Sequence, residues 1–124
     1  MNITITNIAK NQVQKWIETL STLNAKKMLS LYHSEAILLP TLDSEIRNTP
    51  KLINEYFITF LKKEPQCTIQ EAKEIKISES AVALAGHYSF KFKDNSSANA
   101  RFTYLFSKKN DEWKISHHHS SLRP

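Results

Sequence analysis

Apolar residues recur along this chain with two periods, 3.6 early and 2 late, and the change falls near Cys67. Val13, Trp16, Ile17 and Leu20 keep the i, i+3, i+4, i+7 spacing of one helix face. They predict a first helix, with Thr4, Thr6 or Asn7 as candidate caps. Asn24 opens a second, short helix carrying Met28, Leu29 and Tyr32. Residues 36–39 form a brief apolar run ended by Pro40, read as a short strand, and residues 41–48 read as a polar loop. Thr49-Pro50 pairs a capping threonine with proline at the first helical position. The helix it opens shows Leu52, Ile53, Tyr56, Phe57, Phe60 and Leu61 as a wide stripe, until Lys62-Lys63 and Pro65 stop it.

Beyond Cys67 the alternation is that of strands. Ile69, Ile75 and Ile77 share one parity; Val82, Leu84, Tyr88, Phe90 and Phe92 share another run; Phe102, Tyr104 and Phe106 follow. Residues 94–97 and 109–111 are turns. Helices grouped early and strands joined by short turns later predict an α+β fold. The expected architecture is a cone-shaped, curved antiparallel sheet wrapped over three helices from the N-terminal half. A cone of this kind leaves a cavity where ligand sites occur. The other face of the sheet carries His87 and Arg101 and needs cover, so a homodimer or higher homo-oligomer is expected.

The last strand holds the candidate chemistry: Trp113-Lys-Ile-Ser-His-His-His-Ser-Ser121. Strict alternation puts His117, His119 and Ser121 on one side, with Trp113 and Ile115, and this reads as the inner face. His118 and Ser120 fall on the other. Imidazoles facing a cavity can move protons, bind a metal or hold an anion, whereas buried histidines can also serve only to satisfy hydrogen bonds. A metal, zinc or manganese, at His117 and His119 is the alternative to a cofactor-free site. It lacks an evident third ligand, since neither His33 nor His87 is placed beside the pair by spacing and no acidic residue is.

Composition narrows the partners. At 124 residues the chain is one domain, 1–124, able to bury a real core. Cys67 stands alone, so no disulfide forms within the chain. The net charge of +5 comes mainly from lysine pairs at element ends, with arginine only at 47, 101 and 123. That is a solvated surface rather than a base-reading one, and no nucleic acid is expected. No apolar run approaches a membrane span and no signal peptide is evident, so a cytoplasmic protein without a membrane partner is expected.

The order of elements and the closing Trp-x-Ile-x-His-His-His-Ser-Ser resemble the nuclear transport factor 2-like superfamily, in the branch related to the calcium/calmodulin-dependent protein kinase II association domain. The chain is most similar to the iota-class carbonic anhydrases, whose domain ends His-His-His-Ser-Ser-x-Met-Pro; here that stretch is His117 to Pro124. Ala36-Ile-Leu-Leu-Pro-Thr41, Arg47-Asn-Thr-Pro-Lys-Leu-Ile-Asn-Glu-Tyr-Phe57, Glu64-Pro-Gln-Cys-Thr-Ile69 and Ala100-Arg-Phe-Thr-Tyr104 are similar too. Arg123 departs from the motif by replacing its methionine. The resemblance implies reversible hydration of carbon dioxide to bicarbonate, without a metal in some members. Carried over by position, the substrate-holding residues are Thr41, Tyr56 and a serine of the terminal pair. Parity favours Ser121, and a bulge in the last strand would favour Ser120. His117 or His119 would accept the proton. Two other functions compete: a non-catalytic association module, and an isomerase-like enzyme that would want a buried carboxylate, for which Asp43 and Glu55 are nearest.

Overall fold

A computed structural model describes the backbone of residues 3–124 and the side chains of residues 8–124. Helix α1 spans Ile3–Leu20 and α2 Ala25–Leu29; strand β1 is Tyr32–Leu39; helix α3 is Pro50–Phe60, continued by a 3-10 turn at Leu61–Lys63. Four strands follow, β2 Gln66–Ser78, β3 Ala81–Lys91, β4 Ser97–Lys109 and β5 Glu112–Leu122. The candidate caps Thr4, Thr6 and Asn7 have side chains outside the described residues. Thr49 caps α3 as its sequence indicates, its hydroxyl accepting from the Leu52 N–H at 3.2 Å with Pro50 in the first turn. Asn24 caps α2 through Lys27 N–H at 3.1 Å.

The expected α+β architecture is the observed one. The strands form one sheet in the order β1-β5-β4-β3-β2. The four late strands pair antiparallel, and β1 joins the edge parallel to β5. Tyr32 belongs to β1 rather than to the second helix: it pairs with Ile115 and is buried. Tertiary pairing overrides a helical period only one turn long.

Two bulges decide which residues face the helices. In β2 the register shifts between Ile69 and Glu71, so Ile69 packs against the core while Ile75 and Ile77 are exposed, 62% and 58%. In β5 the register shifts beside Phe106, which pairs with Ile115 while Leu105 already pairs with His117. The extra residue, Ser116, reverses the parity of everything after it. Ile115, His118 and Ser120 therefore point to the helices, and His117, His119 and Ser121 do not.

Trp16 on α1 anchors the inner face. Its indole stacks on Tyr88 at 6.2 Å and meets Phe90, Tyr104 and His118 edge-on. Such pairs contribute about 0.5–1.5 kcal/mol each beyond the area they bury.

Candidate active site

A partly open cavity of about 280 Å³ lies between α3, the loop after β1 and the inner face of the sheet. Its walls are aromatic: Phe57 and Phe60 from α3, Tyr88 and Phe90 from β3, Phe92 just beyond it, and Trp16 from α1. Its polar groups are few and arrive from distant parts of the chain: Thr41, Asp43, Arg47, Tyr56, His118 and Ser120.

Each is placed by a local device. Leu38 and Arg47 exchange two backbone hydrogen bonds at 2.9 Å, which fold residues 40–46 back over the end of β1 and bring Thr41 above the sheet. Asp43 reinforces that fold, accepting from Arg47 Nε and Nη2 at 2.9 Å each through Oδ2, and from the Glu45 N–H through Oδ1. Two nitrogens of a half-buried guanidinium thus hold one carboxylate oxygen through charge-assisted hydrogen bonds. Thr41 Oγ1 and Ser120 Oγ are 2.5 Å apart, so residues 79 positions apart share one proton-bearing contact.

Tyr56 stacks on Phe60 at 5.5 Å and meets Phe57 edge-on. Burial pushes its hydroxyl far above the ordinary tyrosine range, and the Asp43 carboxylate adds to the shift. It is a hydrogen-bond donor at every physiological pH. No hydrogen bond to it is found among the described residues, so its proton is available to a ligand.

Behind Ser120 the imidazole of His118 is 3% exposed. Its Nδ1 lies 2.9 Å from Tyr32 Oη, its Nε2 3.2 Å from Tyr88 Oη, and Tyr104 stacks on the ring at 4.1 Å. Burial lowers its pKa to about 3, with His117 and His119 pushing the same way. It is neutral at pH 7 and both nitrogens are occupied.

The chain matches the calcium/calmodulin dependent protein kinase II association domain family over residues 6–124. It belongs to that family. A crystal structure described as such an association domain, from Xanthomonas campestris, is 33% identical, covers 90% of this chain and 83% of its own, and has a TM-score of 0.87. More distant structures share the fold alone. A nuclear transport factor 2-like protein from Salmonella enterica is 14% identical, with 100% and 94% covered and a TM-score of 0.84. A ketosteroid isomerase-like protein from Erwinia carotovora is 10% identical, with 93% of each chain covered and a TM-score of 0.74. No curated protein matches the chain.

In this association domain the structure brings Thr41, Tyr56 and Ser120 together and separates them from the other candidates. His119 and Ser121 line a shallow outer hollow with His87, Arg101 and Glu71; His117 faces outward too, pairing with Leu105 and Ile37. The expectation that His117, His119 and Ser121 enter the cavity is thus overturned, because Ser116 is an extra residue in β5. The serine of the cavity is Ser120. Glu55 is exposed on α3, and Arg123 lines neither hollow, its N–H donating to Asn99 O. His33 is held by Ser107 O at 3.0 Å.

These positions also settle how the residues fit a metal. His117 and His119 have no third ligand beside them, and no cluster of three histidine, cysteine or acidic side chains occurs among the described residues. His118 has no nitrogen to spare. The donor set does not suit zinc or manganese. No described helix is long and apolar enough to cross a membrane.

Tyr88 and His118 are functional candidates that spacing did not single out for the cavity, and of the two candidate carboxylates the cavity takes Asp43. One signal was present for His118. Either parity of His117-His-His119 buries imidazole, and burying one polar ring costs less than burying two.

Tyr104 gives a contrast that isolates hydrogen-bonded from orphaned hydroxyls. Its Oη is buried without a partner, whereas those of Tyr32 and Tyr88 are engaged. Tyr104→Phe should leave stability unchanged or raise it by about 1 kcal/mol, while Tyr32→Phe should lower it by about 1–2 kcal/mol. Urea unfolding of the two variants checks this.

Proposed function

We propose that this association domain hydrates carbon dioxide to bicarbonate, reversibly and without a metal, in the aromatic cavity. The observation that supports it is the convergence of Thr41, Tyr56 and Ser120 on one apolar-walled hollow. The carbonic anhydrase resemblance implies Thr41, Tyr56 and one serine of the terminal pair, positions far apart in sequence, as those that hold substrate.

Carbon dioxide, apolar and linear, sits against Phe57, Phe60 and Phe90. A water held at the Thr41–Ser120 pair donates a lone pair to the carbon, forming the new C–O bond, while one C=O electron pair moves onto oxygen. The Tyr56 hydroxyl donates to that oxygen as charge builds, the role in which a preorganised donor is most effective. The proton released from the water goes to Asp43, the carboxylate among the lining residues, and from there to solvent. Arg47, already paired with Asp43, keeps the carboxylate oriented. Histidine does not take the proton in this scheme, since His117 and His119 are outside and His118 is fully hydrogen-bonded. With nothing to bring the water's pKa near 7 as zinc does, turnover is expected to be modest.

Stopped-flow hydration assays with and without chelator test the scheme. The native protein should exceed the buffer background equally in both. Tyr56→Phe and Ser120→Ala should each lose about 10²-fold, and Ser121→Ala should lose little. No rate above background would end the proposal, and an unchanged Tyr56→Phe would remove that residue from it.

The association function is a second reading with its own observation. Ile75, Ala83, Leu105, His117 and Ile37 lie in cross-strand register as one row over the whole outer face. Ile75 and Ile37 are 62% and 42% exposed. We propose that a second copy of the chain covers this row, leaving the cavity open on the opposite face. Sedimentation equilibrium should show a dimer or larger assembly that Ile75→Lys weakens while hydration persists.

A further inference from the structure

The buried polar chain behind the cavity has a direction, and Trp16 sets it. An indole N–H only donates, and Trp16 Nε1 donates to Tyr32 Oη at 3.0 Å. The one other polar atom bonded to Tyr32 Oη is His118 Nδ1. Tyr32 is buried, so its own proton must go there, because a buried hydroxyl left undonated costs about 1–3 kcal/mol. Nδ1 is therefore an acceptor. A neutral imidazole carries one proton, which places it on Nε2, where it is donated to Tyr88 Oη at 3.2 Å. Tyr88 has then accepted from the ring, and its own proton is left for the cavity that it lines.

We infer that His118 is a positioning residue: locked by Trp16 and Tyr32 as its Nε2–H tautomer, it makes Tyr88 accept on the ring side, so that the cavity is presented with the Tyr88 hydroxyl as a donor to a ligand oxygen. With the opposite tautomer Tyr88 would donate to Nε2 and offer the cavity a lone pair instead. The pocket is thereby built for acceptors, such as the oxygens of bicarbonate, and against donors. The bicarbonate assignment rests on the hydration proposal; the tautomer does not.

The test uses protein labelled with ¹⁵N-histidine and observed by NMR at pH 7, where the one-bond N–H coupling tells which nitrogen of His118 bears the proton. The expected result is a proton on Nε2 alone. In Trp16→Phe the source of direction is gone and Tyr32 can either donate or accept, so both tautomers of His118 should be seen. Bicarbonate affinity, titrated in the same samples, should fall roughly tenfold for the loss of one aligned donor. A proton on Nδ1 in the native protein, or a tautomer unmoved in Trp16→Phe, overturns the inference. A native protein that shows Nε2–H but no hydration supports the inference while removing the hydration proposal, so the two failures are distinct. Should Trp16→Phe not fold, Tyr32→Phe replaces it: with no donor left for Nδ1, that variant must also lose the single tautomer.

Discussion

Gly86→Ala should destabilise the protein by about 3 kcal/mol or more, although it adds one methyl group to the chain's only glycine. The reason is not backbone conformation, since Gly86 has no positive φ. It is distance: a Cβ at Gly86 would stand 1.9 Å from Glu71 O and 2.8 Å from the Ala72 Cα. Both are backbone atoms of β2, pressed onto β3 just after the bulge between Ile69 and Glu71. A side chain could rotate away, but a paired strand must move as a unit, breaking ladder bonds on either side. Tyr88 lies two residues further along β3, so the shift would also disturb its contact with His118. Thermal unfolding should show a midpoint lowered by roughly 10 °C, whereas Ala85→Ser next to it should change little. An unchanged midpoint for Gly86→Ala would mean that β2 and β3 are not held this close.

That close approach marks the boundary between what the sequence disclosed and what it did not. The helix after Thr49-Pro50, the alternation of β3 and β4 and the turns near residues 95 and 110 are set by neighbours within a few positions, and they were legible. The family resemblance likewise located Thr41 and Tyr56, and kept Ser120 beside Ser121. What failed was parity across a bulge, twice and for one reason. In β2, Ile69 and Ile75 share a parity on paper yet face opposite sides. In β5, Trp113 and Ile115 pointed to His117 and His119, yet the ring that enters is His118. A bulge is a property of two paired strands, fixed by which register buries more apolar surface, and a single strand read alone does not contain it. Asp43 and Glu55 stood as equal candidates for a cavity carboxylate for a related reason: the Leu38–Arg47 bridge that turns the Asp43 loop inward is a contact between backbones.

The buried ring predicts acid sensitivity. His118 titrates at its ordinary value of 6.5 when unfolded and at about 3 when folded. The sign follows from proton counting: between those values the unfolded chain binds a proton that the folded one refuses, so stability falls as pH falls. Nothing is lost above about pH 6.5; below it, this one group removes up to about 1.4 kcal/mol per pH unit. By pH 4.5 the deficit is about 3 kcal/mol, a large part of the stability of a small domain. The groups packed against the ring offer no rescue. Tyr32, Tyr88 and Tyr104 are held far from ionisation by burial, and Trp16 does not titrate. His117 and His119, on the other face of the same strand, only oppose a further positive charge. Urea unfolding from pH 7 to 4.5 should therefore give a steep decline in the native protein and a flatter one in His118→Gln, which is less stable at pH 7 but has no proton to refuse. If that variant does not fold, the native ring itself reports: its NMR shifts should stay constant from pH 7 down to pH 4.5. Parallel urea profiles, or a His118 that titrates above pH 5, would show that water reaches the ring and that the polar chain behind the cavity is not closed.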